Sequence, residues 1–273
     1  MSKEKTVPVE ELSSLKMRLI GLLLSYEIGH YKPYYFDTGT LSVSLTRLFE
    51  TYHRIVVPLF LAQKGIIPFM EGDVEHFMIR YRVVLNDLGY ILRQIYPKHE
   101  RGMPAPGGGV KERNKEMSIA ALISFTEKYP DRYPKLTALL YKNSQWILKL
   151  REERDDVIHY KKRVFIAYPE DTGPVMCVLN MKYDEAGATI KMPDGSSRLK
   201  SVGVFEYVHS QMRSLVDFMN IDLADFIFDH VTTHNHKLAD GISVDGVTIS
   251  CIGIPMFNQL NAQQATTSPS ESK

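Results

Sequence analysis

DVEHFMIRYRVVLNDLGYILRQIYP, residues 73–97, decides the fold. Within it Val74, Phe77, Met78, Tyr81, Val84, Leu85, Leu88, Ile91, Leu92 and Ile95 recur at steps of three and four, so one apolar stripe runs along a helix from about Asp73 to Tyr96. Asp73 is placed to cap its start, and Pro97, which cannot continue a helix, stops it. A stripe of this length needs partners, and the same period recurs on both sides.

Upstream, Leu12, Leu15, Leu19, Leu22 and Leu23 predict a helix over residues 10–28 with Gly29 at its end, and a second helix runs from about Leu41 to Gln63 with Pro58 as a possible kink. Between them lies the tyrosine-rich HYKPYYFDTGT. Downstream, KHERGMPAPGGGVKERN, residues 98–114, has the charge, proline and glycine of a loop. Its three glycines run into Val110 and Lys111 rather than GK[ST], so no phosphate-binding loop of the Walker type is present. Helices over about 115–128 and 134–156 follow, the latter carrying Leu136, Leu139, Leu140, Asn143, Trp146, Ile147 and Leu150.

From Arg163 the period changes. RVFIAY, VMCVLNMKY and ATIKM are short β-rich runs separated by turn sequences, which predicts a three-stranded β-ribbon at about 163–200. A long core helix resumes over about Val204–His230. GISVDGVTISCIGI has the pattern of a hairpin turning at Asp245-Gly246, a C-terminal extension over 233–260, and the polar residues 261–273 have the composition of a disordered tail. The expected fold class is mainly α, an antiparallel helical bundle with a small β-ribbon insertion and a C-terminal hairpin.

Composition bounds the function. In 273 residues, 33 Lys and Arg nearly balance 32 Asp and Glu, so no global field attracts nucleic acid or a membrane surface, and any such contact is local. The apolar runs Leu19–Leu24 and Ile55–Ala62 are far shorter than the roughly 20 residues of a membrane span. Two distant cysteines, Cys177 and Cys251, without metal-ligand spacing, and an N-terminus without an apolar leader point to a reducing cytoplasm.

The residues with chemistry are concentrated in LREERDDVIHY, Leu150–Tyr160, at the end of a core helix. Arg154 supplies a permanent forked cation suited to phosphate, and His159 exchanges a proton near neutral pH. Together they provide the elements of metal-independent phosphodiester cleavage. The histidine would take a proton from the RNA 2′-hydroxyl or give one to the 5′-oxygen, while the arginine stabilises charge on the phosphorane-like transition state. Five positions apart on an ideal helix is about 140° round the axis, so the pair shares a site only if the helix ends between them or a second chain completes it. Lys161, Lys162 and Arg163 follow as candidate contacts to an RNA backbone. The alternative is a charged helix end, with REERDD making intrahelical ion pairs and the histidine meeting terminal carbonyls.

At these residues the chain resembles the HEPN superfamily, helical proteins whose nuclease members carry Arg, four to six intervening residues and His, usually with a polar residue after the Arg. Arg154, Asp155 and His159 fit that pattern. The resemblance spans roughly residues 10–232 and implies a homodimeric endoribonuclease needing no cofactor, with RNA as substrate and Arg154, Asp155 and His159 acting in duplicate. It also implies a toxin or defence role and a cognate protein partner. Tyr160 departs from the small residue common after the histidine, and the β-ribbon is additional to the minimal bundle. Arg47–His53 and Arg93–His99 share the spacing, but Leu48 is apolar and His99 lies beyond Pro97.

Two other classes compete: a non-catalytic helical scaffold that binds a protein or nucleotide partner, and a metal enzyme. The metal reading rests on His230, His234 and His236 in DHVTTHNH, where two histidines four apart face one side of a helix and Asp229 stands beside them. No HExxH glutamate accompanies them. Trp146 is in register with Leu139, Asn143 and Leu150, which marks it as core or interface; Tyr31, Tyr34 and Tyr35 read as a packed loop or a surface contact, and His30 and His53 as local hydrogen-bonding residues.

Overall fold

The computed structural model describes residues 13–28, 38–62, 70–95, 118–158, 162–168, 173–180, 189–191, 197–199, 201–233 and 246–267; at some helix and strand positions among these only the backbone is described. The described residues are mainly α with small antiparallel sheets. In chain order the helices are α1 (Arg18–Ile28), α2 (Thr38–Ala62), α3 (Glu71–Gln94), α4 (Ile119–Lys128), α5 (Pro134–Ile158), α6 and α7 (Ile254–Thr267). Helix α6 runs as Val204–Asp217, a π-helical stretch Phe218–Leu223 and Ala224–Thr233.

Helix α3 is the element the others pack around. Every residue of its apolar stripe is buried, and α2, α4 and α5 all lie against it. The Tyr81 hydroxyl donates to the Gln211 carbonyl at 2.7 Å, which ties α3 to α6 and satisfies a phenol that burial holds in its neutral form. Asp73 does not cap the helix. The N-cap is Met70, without a side-chain bond, so Asp73 sits inside the first turn, where its charge suits the helix dipole and its carboxylate meets Arg54 Nε at 3.3 Å. Helix α4 is capped by Ser118, whose Oγ accepts from the Ala121 N–H.

The strands after α5 pair differently from the expected ribbon. Strand β2 (Lys162–Ala167) forms a hairpin with β3 (Val175–Asn180), but the third strand of that sheet is the two-residue β6 (Val202–Gly203), which leads directly into α6. The ATIKM run forms β4 (Thr189–Lys191), which pairs with β5 (Ser197–Leu199) in a separate two-stranded sheet. Val164, Ile166 and Met176 turn inward and join the helical core, so the β2–β3 sheet covers α3 and α5. Its fit is marked by the Val164 N–H donating to Glu75 Oε1 on α3 at 3.4 Å.

Two segments far apart in the sequence meet. Strand β1 (Leu15–Met17), in a stretch whose leucine spacing predicts helix, pairs antiparallel with β7 (Val247–Ile249). Asn220 in the π-helical stretch holds the junction, accepting from the Arg18 N–H and donating to the Lys16 carbonyl, both at 2.9 Å. Gly246 adopts φ +102°, and a Cβ there would lie 2.7 Å from the Arg18 backbone, so this crossing admits no side chain. The predicted hairpin partner of β7, residues 241–245, lies outside the described residues. Residues 261–267, expected to be disordered, continue α7. The reason is burial: Phe257 meets Phe49 edge-on at 5.7 Å and Leu260 is buried, so one apolar edge secures an otherwise polar helix.

At the junction of α2, α6 and α7 lies His209, 1% exposed, with Nδ1 2.8 Å from the Tyr52 hydroxyl and its ring stacked on Phe205. The Asn261 side chain lies near the ring, and His209 Nε2 and Asn261 Oδ1 are both buried without a hydrogen-bond partner. Burial lowers the imidazole pKa, the Arg213 charge adds to this, and Asn261 opposes both.

Candidate functional site

The acidic residue of the sequence motif, Asp155, is half-buried on the last turns of α5 and holds two arginines. Arg151, one turn earlier on the same helix, brings Nε to 3.6 Å from Oδ2; Arg82 reaches across from α3 and places Nη1 2.8 Å from Oδ1. Each carboxylate oxygen therefore faces its own guanidinium. The i,i+4 spacing of Arg151 and Asp155 is legible in REERDD. Arg82 is not legible as a partner, because 73 residues separate it from Asp155 and only the packing of α3 on α5 joins them.

Beside this ion-pair network lies a small, shallow groove between α3, α4 and α5. Its floor is apolar, from Leu85, Ile119 and Leu150, and its rim carries Arg82, Asn86 and Arg151. The start of α4 reaches the groove because Gly89 lets the backbones close up: a Cβ on Gly89 would lie 2.6 Å from Ile119 N. Two cations thus stand at the edge of an apolar recess, fixed from behind by one carboxylate. Two forked donors side by side suit an anion such as a phosphate group at the surface.

The remaining motif residues are described in part. Arg154 lies on the backbone of α5, which is described to Ile158; its side chain, and all of His159, Tyr160 and Lys161, lie outside the described residues. Lys162 and Arg163 open β2, paired in register with Asn180 and Leu179, with their side chains likewise undescribed. His230 sits on α6, its ring stacked on Phe226 at 6.3 Å, whereas His234 and His236 are outside the described residues. Among the described residues no group of three His, Cys, Asp or Glu side chains is arranged to hold a metal ion. Of the other spacings, Arg47 is exposed on α2 and His53 is half-buried; Arg93 is 1% exposed within α3, and His99 is undescribed.

Trp146 is partly buried and packs against the core: it stands edge-on to Tyr81 and Phe218 and donates its indole N–H to Asn143 Oδ1 at 3.1 Å. Asn143 in turn donates to Asp222 Oδ2 at 3.0 Å, so the π-helical stretch of α6 is tied to α5 as well as to α1. The tyrosine cluster Tyr31, Tyr34 and Tyr35 lies outside the described residues, as does His30. No helix among the described residues is long and apolar enough to cross a membrane.

Compared with protein-family models, curated proteins and solved structures, the chain matches none at a significant level. What stands is a mainly helical fold with a carboxylate-anchored arginine pair at a groove.

Proposed function

We propose that this chain is a metal-independent endoribonuclease of HEPN type, acting as a homodimer, with His159 as general acid or base, Arg154 on the scissile phosphate and Asp155 as the residue that orients the cationic edge. The supporting observation is the Asp155 network. The residue directly after Arg154 fixes Arg82 and Arg151 at the rim of a groove, so the motif stands in surroundings already suited to phosphate. In this reading the 2′-oxygen attacks phosphorus as its proton leaves to a base. A 2′,3′-cyclic phosphate forms, and the 5′-oxygen departs with a proton from an acid. Two protomers would supply the acid and the base, while Lys161, Lys162 and Arg163 would hold the flanking backbone. A toxin or defence role, with a cognate protein partner, belongs to the same reading.

The same network also favours a second reading. Asp155 joins α3 to α5, which is what a structural ion pair does in a non-catalytic scaffold. RNA cleavage in the presence of chelator separates the two. The nuclease reading expects cleavage by the wild-type chain and a loss of roughly 10²–10⁴-fold in His159→Ala. Equal inactivity of both proteins, with both folded, rejects it in favour of the scaffold.

A further inference from the structure

Arg80 stands two residues before Arg82, about 200° round the α3 axis, and so faces a different surface. There it meets His76, donating from Nε to Nε2 at 3.0 Å. From α2, Arg54 brings Nη2 to 3.3 Å from His76 Nδ1 and to 3.4 Å from Thr51 Oγ1. One imidazole therefore has a guanidinium against each ring nitrogen.

That arrangement is incomplete as it stands. A guanidinium only donates, and a neutral imidazole accepts at one nitrogen while carrying hydrogen on the other. The shorter contact assigns the acceptor to Nε2, so the Nδ1–H and Arg54 Nη2 are donors facing each other. Protonating the ring makes both contacts donor against donor. One carboxylate, Asp73, lies against Arg54 Nε at 3.3 Å. Arg80 has no carboxylate partner among the described residues. With a neutral imidazole the cluster carries one net positive charge, and with an imidazolium two. Desolvation, then Arg80, then Arg54 lower the His76 pKa, with Asp73 opposing.

We propose that Arg54, His76 and Arg80 form a site for a phosphate oxyanion on the α2–α3 surface, separate from the Asp155 groove and independent of any chemistry at Arg154 and His159. A phosphate group provides what the cluster lacks: several acceptor oxygens in one small anion, able to take N–H bonds from both guanidiniums and from the ring. A bound phosphate also supplies the negative charge that lets His76 take up a proton. The occupant is either free phosphate, including a monoester, or a phosphodiester of an RNA backbone, since both present the same oxygens.

The test uses the full-length chain with ¹³C-labelled histidine, titrated with inorganic phosphate at constant ionic strength against a chloride control. The His76 resonance is identified by its disappearance in His76→Gln. The site requires a saturable shift of that resonance with phosphate, and a rise of its pKa by about one unit. Arg80→Gln and Arg54→Gln should each weaken phosphate on the order of tenfold while melting like the wild type. Identical responses to phosphate and chloride overturn the proposal, as does a phosphate response that survives Arg80→Gln unchanged. A single-stranded oligoribonucleotide without terminal phosphates then distinguishes the sources. Displacement of inorganic phosphate supports a backbone phosphodiester as occupant, and phosphate binding without displacement supports free phosphate or a monoester.

Discussion

Arg80 and Arg82, two residues apart on α3, illustrate two uses of the same side chain. Arg82 turns toward α5 and ends on a carboxylate, with Arg151 on its other oxygen, so its charge is compensated by a contact that also joins two helices. Arg80 turns toward α2 and ends on an imidazole that Arg54 also approaches. A guanidinium matched by a carboxylate contributes to holding the bundle together; one matched only by a histidine leaves donors directed at whatever anion arrives. The contrast concerns which neighbour the fold brings up, since both residues come from one short stretch, IRYR, and point to opposite sides of α3.

The largest effect on this comparison comes from disturbing the scaffold under Arg82. Gly89→Ala should destabilise by about 1–3 kcal/mol, because the new Cβ falls against the Ile119 backbone and α4 must move away from α3. Denaturant unfolding measures the loss, and an unchanged midpoint would mean that α4 is not seated against α3 as described.

A pH series sharpens the comparison from the side of the histidines. His209 and His76 both have folded pKa values below the ordinary 6.5, the first chiefly by burial and the second by desolvation and two arginines. The unfolded chain therefore takes up these protons first as pH falls through 6.5. Stability should decline from there until the pH passes the lowered folded values, where the slope flattens. His209→Gln, which keeps a polar partner for Tyr52, should remove the part due to the buried ring and leave that of His76. Urea unfolding from pH 8 to about 5 reads both slopes, and a His209→Gln profile parallel to wild type would reject this assignment.

Smaller effects follow at the two arginine sites. Asp155→Asn should cost about 0.5–1 kcal/mol, since its partners keep access to water, and the cost should shrink at high salt. Arg80→Gln should change stability by less than about 0.5 kcal/mol while weakening the phosphate response of His76 on the order of tenfold. Should Arg80→Gln prove the more destabilising of the two, the roles assigned to the two faces would be reversed.

Helices α1 to α6 were legible because each has a stripe long enough to reveal its period, whereas α7, expected as part of a hairpin extension and a disordered tail, was not. The stripe of α3 is buried along its whole length, and its bounds differ from expectation by two residues at each end. Asp73 was legible as an N-terminal acid but not as the partner of Arg54, since the capping position depends on where the chain enters the bundle. In the candidate site, Arg151 and Asp155 were readable one turn apart, and His76 and Arg80 share that spacing. Arg82 and Arg54 were not readable, because each arrives from another helix.

By itself the sequence determined what local repetition encodes: a mainly helical body, a change to β-structure after residue 162, and acid and base concentrated at the end of α5. Tertiary structure alone decided which distant pieces meet. It paired β1 with β7, sent β6 rather than ATIKM to the edge of β3, kept residues 261–267 helical, and set Arg82 on Asp155 and Arg54 on His76. Helix period is written in steps of three and four residues, whereas these contacts depend on how buried faces fill space together, which no short stretch of sequence contains.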